Sequence, residues 1–490
     1  MAMLGKRRVS RPGRAAAGAA ELSSRDKANT TNTSRDDGVV DILRLSHDGR
    51  GVAKTTAGKT LFVERTLPGE QVKIAIHRTH GRFDDAHPQR LSVTSSERVI
   101  PACRHFSQCG GCDLQHLVLD GQHRHKQAVL KEQLARQSIQ CEVPVEMIAG
   151  NGFGYRRRAR LGVKVGSGGE IHLGFRARGS HHLVDIEQCP ILSPSLEALL
   201  IPLRKQLEAL AAPRLIGHLE LLESVDSICV ILRQLKPHAE DASRWQAFAL
   251  VHGLGFAWRL GRGSGKSRPS LEWLTPRPSL EYELVLESKT LRLAFSPGDF
   301  IQVNGPVNQA LVTTALNWLS PLRKSQVLDL FAGVGNFSLA LATQAFRVVG
   351  VEGSAAMAGR LDENARRNGL ANIEARQADL YQAPRASALL DERHWDLVVL
   401  DPPREGAELV CQQLAKRRVP LILYISCDPA TLARDAAVLR AGGYRLRRAA
   451  VVDMFPQTAH LESILLFEQG SHAPETENTS ISSARTRRDA

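Results

Sequence analysis

Residues 327–342, VLDLFAGVGNFSLALA, read as a strand, a glycine turn and a helix. Gly333 and Gly335 let the backbone approach a nucleotide-like ligand closely, which a side chain would prevent. Many doubly wound folds carry such a loop, so the surroundings decide. Working outward, QVLDLFA, RVVGVEG, NIEARQAD, WDLVVLDPP, LILYISC, YRLRRAAVVDMF and ESILLFEQ are seven strand candidates, with helical segments between most of them. Repeating β-α units from about residue 296 predict a doubly wound parallel sheet. Only PQTAH joins the last two strands, too short for a crossover helix, so the final strand must run antiparallel to its predecessor.

Two acids refine the ligand. Glu352 ends the second strand 19 residues after Gly333, where a carboxylate can accept both hydroxyls of a ribose. Asp379 ends the third strand, where an acid can meet an adenine amino group. A third glycine, a lysine or a clustered phosphate-binding element is missing from this stretch, which argues against a dinucleotide or ATP. The pattern resembles the class I S-adenosylmethionine-dependent methyltransferase fold.

The stretch LYISCDPATLARD, 423–435, sets a thiol at the end of the fifth strand. Free cysteine is often just a small buried hydrophobe. Here Asp428 at the cap and Pro429 at the first helical position aim backbone N–H groups toward Cys427, an arrangement expected to lower its pKa. VVLDPPREG, 398–406, bears on the target: amino-methyltransferases follow a similar Asp-Pro-Pro with an aromatic residue, whereas position 404 is Arg. A thiolate suits uracil instead. Added to carbon 6, it turns the ring into an enolate whose carbon 5 can attack a sulfonium methyl, and a base must then remove the carbon-5 proton. Glu462 opens the antiparallel last strand, so it should share one cleft with Cys427.

At these residues the resemblance becomes specific. SCDPATLARD, DMFPQTAHLESILLF, LDLFAGVGNFSLALA and PGDFIQVN resemble the RNA uracil-C5 methyltransferase family, over nearly all of residues 38–468. The resemblance implies Cys427 as nucleophile and Glu462 as proton acceptor. It also implies S-adenosylmethionine contacts from Gln302, Phe331, Asn336, Glu352, Asp379 and Asp401.

CRHFSQCGGC supplies Cys103, Cys109 and Cys112, with Cys189 of DIEQCPIL as a candidate fourth ligand. By spacing alone, four thiolates suit a structural zinc ion and an iron–sulfur cluster equally. The family resemblance implies a [4Fe-4S] cluster on these four. A radical S-adenosylmethionine enzyme would need a three-cysteine loop with one iron left open, and the spacing here differs. Cys141, Cys229 and Cys411 read as structural.

The remaining chain gives the architecture. The 490 residues, 43% hydrophobic and 23% charged, suit a soluble protein of several domains, and the net charge of +13 suits a polyanionic partner. Residues 1–37 and 470–490 read as disordered tails, the first basic and without a signal peptide's apolar core. Residues 38–97 alternate in short strands, an OB-like barrel resembling the TRAM RNA-binding module. Residues 98–295 form a mixed α/β central domain with the cysteine cluster. There YRRRARLGVKVG alternates basic and apolar residues, predicting a phosphate-facing surface around Arg156–Arg160. Residues 296–469 are the α/β, Rossmann-like methyltransferase domain. Barrel and cluster together imply, by resemblance, a 23S rRNA uridine as substrate, handled by a cytoplasmic monomer with no membrane partner. The alternatives are a tRNA enzyme, a dual-site rRNA enzyme, and a non-catalytic ribosome-assembly factor that keeps the fold as scaffold.

Overall fold

The computed structural model describes residues 38–261 and 270–470. The expected tails, residue 470 excepted, lie outside the described residues.

The glycine loop sits at the centre of an eight-stranded sheet. Its order is Ile373–Gln377, Arg347–Glu352, Gln326–Leu330, Leu397–Leu400, Leu421–Ser426, Glu462–Gln469, Tyr444–Val452 and Val145–Ile148. The first five strands are parallel. Glu462–Gln469 is antiparallel to both neighbours, as the short link of residues 453–461 requires. Helices Ser338–Ala342, Ala355–Arg367, Ala383–Asp391, Glu408–Leu414 and Pro429–Ala441 connect the successive parallel strands and lead on to Tyr444–Val452. Two apolar cores flank the sheet, one containing Val327, Leu339 and Ile464, the other Leu328, Leu432 and Leu465. This is the period-two alternation of a sheet covered on both faces.

The boundaries differ from the sequence reading in two places. Val145–Ile148 pairs in parallel with Tyr444–Val452 and makes the eighth strand, while helix Leu119–Arg136 sends Val129, Leu130 and Leu134 into the core beneath it. The hairpin Glu281–Val285 and Thr290–Ala294 buries Tyr282, Leu284, Leu291 and Leu293 in the opposite core. Residues read as central domain therefore complete the catalytic one. A four-residue edge strand bears no local mark of the sheet it joins.

The central region keeps its own seven-stranded sheet, from Leu183–Asp185 at one edge through Arg158–Val165 to Leu271–Trp273 at the other. Its core holds Leu161, Leu219, Trp245 and Phe256. At the N-terminal end, six strands from Val39–Asp41 to Phe83–Val93 form one sheet around Ile42, Leu61, Val63 and Val72. The two edge strands, Val39–Asp41 and Arg44–Leu45, follow each other in the chain, so the connection between them closes the sheet on itself. Among the described residues no helix is long and apolar enough to cross a membrane.

Candidate active site

The residues expected to hold the methyl donor centre on the turn after Gln326–Leu330. Phe331, Gly333 and Gly335 all take positive φ, 67°, 59° and 103°. The φ of 103° at Gly335 favours glycine, and a Cβ there would stand 2.3 Å from Leu339 Cδ1 and force that side chain to shift. Glu352 accepts from the Gly333 amide at 3.1 Å and from the Ser354 amide at 2.8 Å. The loop thus fixes the carboxylate that was expected to meet the ribose. Asp379 is oriented likewise, by the Tyr381 amide at 3.1 Å and the Gln382 side chain at 2.8 Å. The Tyr381 and Phe331 rings lie 5.9 Å apart, an apolar wall beside the turn.

Asn336 and Gln302 are held by residues that no local sequence signal singles out. Asn336 exchanges two amide bonds of 2.9 Å with Asn308 and accepts from the Tyr282 hydroxyl at 3.1 Å. The Tyr282 ring carries the Arg157 guanidinium 4.7 Å from its centroid, and Arg157 Nε donates to the Gln302 carbonyl at 2.8 Å. The expected basic face is therefore partly internal. Arg157 is spent on the donor loop, and Arg158 on Glu220 and the Asp299 carbonyl, while Arg160 stays exposed. Strand alternation places Arg158 and Arg160 on one face but cannot say which basic side chains find an acid or a carbonyl opposite.

Cys427 and Glu462 come together by register. Ser426 pairs with Ser463 across the antiparallel strands, so the next positions outward are Cys427 and Glu462. Asp401, one residue beyond strand Leu397–Leu400, faces both electrostatically. Burial, then the Glu462 and Asp401 charges, push the Cys427 thiol up to about 11, against a weaker opposite pull from Arg404. This corrects the expectation of a lowered pKa. Asp428 itself accepts from the Ala430 and Thr431 amides, both at 3.0 Å, so the helix N-terminus is satisfied by its own cap. Burial raises Glu462 to about 8, Asp401 adding to it and Lys126 opposing. Its Oε2 is buried without a hydrogen-bond partner. Asp401 is raised to about 7 by burial and by Asp329.

The four expected cluster cysteines share one core with Phe106, Tyr155 and Ile186. Burial pushes Cys112 and Cys189 up to about 12 with neighbouring cysteines adding to it, and burial also raises Cys109, beside Cys103, and Cys103, beside Glu197. Cys112 and Cys189 thus each lie within electrostatic reach of the other cysteines. Among the described residues, however, no group of three or more His, Cys, Asp or Glu side chains converges as one metal ion would need. Cys229 and Cys411 are fully buried in apolar cores, as read.

Residues 119–470 match the model of the tRNA (Uracil-5-)-methyltransferase family, and residues 39–87 match the TRAM domain. The 23S rRNA (uracil(1939)-C(5))-methyltransferase RlmD of Halomonas elongata is 51% identical over 96% of this chain and 98% of its own. The RlmD of Chromohalobacter salexigens is 50% identical over 98% of both chains, and that of Pseudomonas fluorescens 43% identical over 87% and 93%. Among solved structures, the Pyrococcus abyssi tRNA (uracil-54, C5)-methyltransferase in complex with S-adenosyl-L-homocysteine has the same fold. It aligns with a TM-score of 0.68 and 23% identity over 87% of this chain and 99% of that one.

Proposed function

Because the chain belongs to the tRNA (uracil-5-)-methyltransferase family, we propose that it transfers a methyl group from S-adenosylmethionine to carbon 5 of a 23S rRNA uridine, acting as a cytoplasmic monomer. The observation that carries the chemistry is the register of the antiparallel strands, which sets a thiol opposite a buried carboxyl beside the donor turn.

In this reading Cys427 adds to carbon 6, carbon 5 takes the methyl group, and the Glu462 carboxylate removes the carbon-5 proton before the thiol leaves. Burial, with the Asp401 charge adding to it, favours the protonated form of both groups in the free protein. A sulfonium delivered beside Asp401 supplies the positive charge that favours both anions. Gln302, Phe331, Asn336, Glu352, Asp379 and Asp401 hold the donor. The target uridine must be unstacked to reach Cys427, at a cost of a few kcal/mol. The TRAM barrel and the exposed Arg160 are placed to offset that cost through phosphate contacts.

Cys103, Cys109, Cys112 and Cys189 are the ligands we assign to a [4Fe-4S] cluster. Their mutual electrostatic influence supports the assignment, since cluster iron would replace the protons that burial now keeps on the thiols.

The test is transfer of a labelled methyl group to a 23S rRNA fragment and to a tRNA, read as 5-methyluridine by nucleoside mass spectrometry. Product on the rRNA fragment is expected. Product on tRNA alone would overturn the substrate, and none on either would favour a scaffold role.

A further inference from the structure

Glu462 is 5% exposed and its Oε2 lacks a partner, so its own hydrogen bonds do not aim it. It stands at the first position of the last strand, paired with Val452 and next to the Ser426–Ser463 pair, and the link of residues 453–461 leads directly into it. That link is held from outside the sheet. Asp453 forms a buried ion pair with Lys126 at 2.6 Å. Four residues on, Gln457 adopts a left-handed backbone with φ 70°, and its carbonyl accepts from the Asp113 and Leu114 amides, both at 2.9 Å. Gln122 closes the clamp. Its Oε1 accepts from the Gln457 amide at 2.9 Å, and its Nε2 donates to Gln457 Oε1 at 3.0 Å. Asp113 also accepts from the Ala459 amide at 3.3 Å. Asp113 directly follows Cys112, so the end of the cysteine loop and the start of helix Leu119–Arg136 grip the segment that delivers the base.

We infer that Gln122 is a positioning residue for proton abstraction, clamping Gln457 so that Glu462 meets the carbon-5 proton. The inference rests on the uracil-C5 reading above. The step it serves balances within the site. The C5–H bond breaks and its proton passes to Glu462. The freed pair forms the C5–C6 double bond, and the C6–S bond breaks to return the Cys427 thiolate. A looser clamp leaves addition and methyl transfer intact and slows only this last step. The methylated covalent intermediate should then persist, a signature that general loss of structure does not give.

The experiment uses Gln122→Met in the full chain, which keeps side-chain length and removes the two contacts to Gln457 together with those that Gln122 Nε2 makes to the Leu114 and Leu117 carbonyls at 3.1 and 2.9 Å. With an unsubstituted 23S rRNA fragment and S-adenosylmethionine, kcat should fall by about 10- to 100-fold. KM for either substrate should fall with it, leaving kcat/KM little changed, because the slowed step follows methyl transfer. A protein–RNA adduct one methyl group heavier should appear on denaturing gels and in intact mass spectra. Turnover loss without that adduct, or unchanged turnover, would overturn the inference. Gln457→Asn, which tolerates left-handed backbone but shortens the amide, should trap the same adduct and serves if Gln122→Met does not fold. Wild-type protein trapped by 5-fluorouridine RNA in parallel keeps the two readings apart. If it is not trapped, the uracil-C5 chemistry itself fails.

Discussion

Replacing Glu462 by Gln should stabilise the protein while stopping turnover, and the size of the effect follows from burial. The folded protein holds the Glu462 proton up to about pH 8, against an ordinary value of 4.5. Between those limits the folded state binds more protons than the unfolded one, so stability falls as pH rises. Each pH unit across the window costs about 1.4 kcal/mol, or about 5 kcal/mol in all once the pH is well above 8. Glutamine has nearly the same shape, never ionises, and escapes this loss. The two proteins should therefore be equally stable near pH 4.5. The Glu462→Gln variant should be ahead by about 3 kcal/mol at pH 7 and about 5 kcal/mol at pH 9. Urea unfolding followed by circular dichroism across this range gives the comparison. Parallel stability curves would refute the reasoning, because Glu462 would then ionise in the folded protein as it does in water. The same substitution should accumulate the methylated covalent adduct, since addition at carbon 6 does not need the base.

Three further expectations are tied to single contacts. For the wild-type protein, kcat should rise with pH as Glu462 loses its proton, since proton removal follows methyl transfer, and a flat kcat profile from pH 6 to 9 would contradict a base held up by burial. Tyr282→Phe removes the hydroxyl that Asn336 accepts from, at a cost of about 1 kcal/mol, and should raise KM for S-adenosylmethionine about fivefold with kcat little changed. Cys189→Ser should lower iron and acid-labile sulfide in anaerobically prepared protein, and undiminished content of both would remove that residue from the cluster.

The parts of the site written in local sequence were legible before the fold was known. The glycine turn and Glu352 announce themselves through spacing, and the PQTAH link alone forces the antiparallel strand that brings Glu462 opposite Cys427. What was hidden depends on distant partners. The raised Cys427 thiol reflects burial and then Glu462 and Asp401, all brought about by folding, against a helix cap that is legible but already satisfied. Arg157 and Arg158 look like any alternating basic strand until Gln302, Tyr282 and Glu220 stand opposite them. Lys126 did leave a mark. It lies one helical turn after Gln122 and one before Val129 and Leu130, a charge in a buried stripe, and such a charge calls for a partner like Asp453.

The central claim is covalent catalysis by Cys427 on a ribosomal uridine, and 5-fluorouridine tests it most directly. Fluorine at carbon 5 leaves no proton for Glu462 to remove, so the enzyme should stall after methyl transfer. Incubation of the protein and S-adenosylmethionine with a 5-fluorouridine-substituted 23S rRNA fragment should yield an adduct stable to denaturation. Cys427→Ala should give none. An adduct that survives in Cys427→Ala, or no adduct from wild-type protein that binds both substrates, would contradict the account.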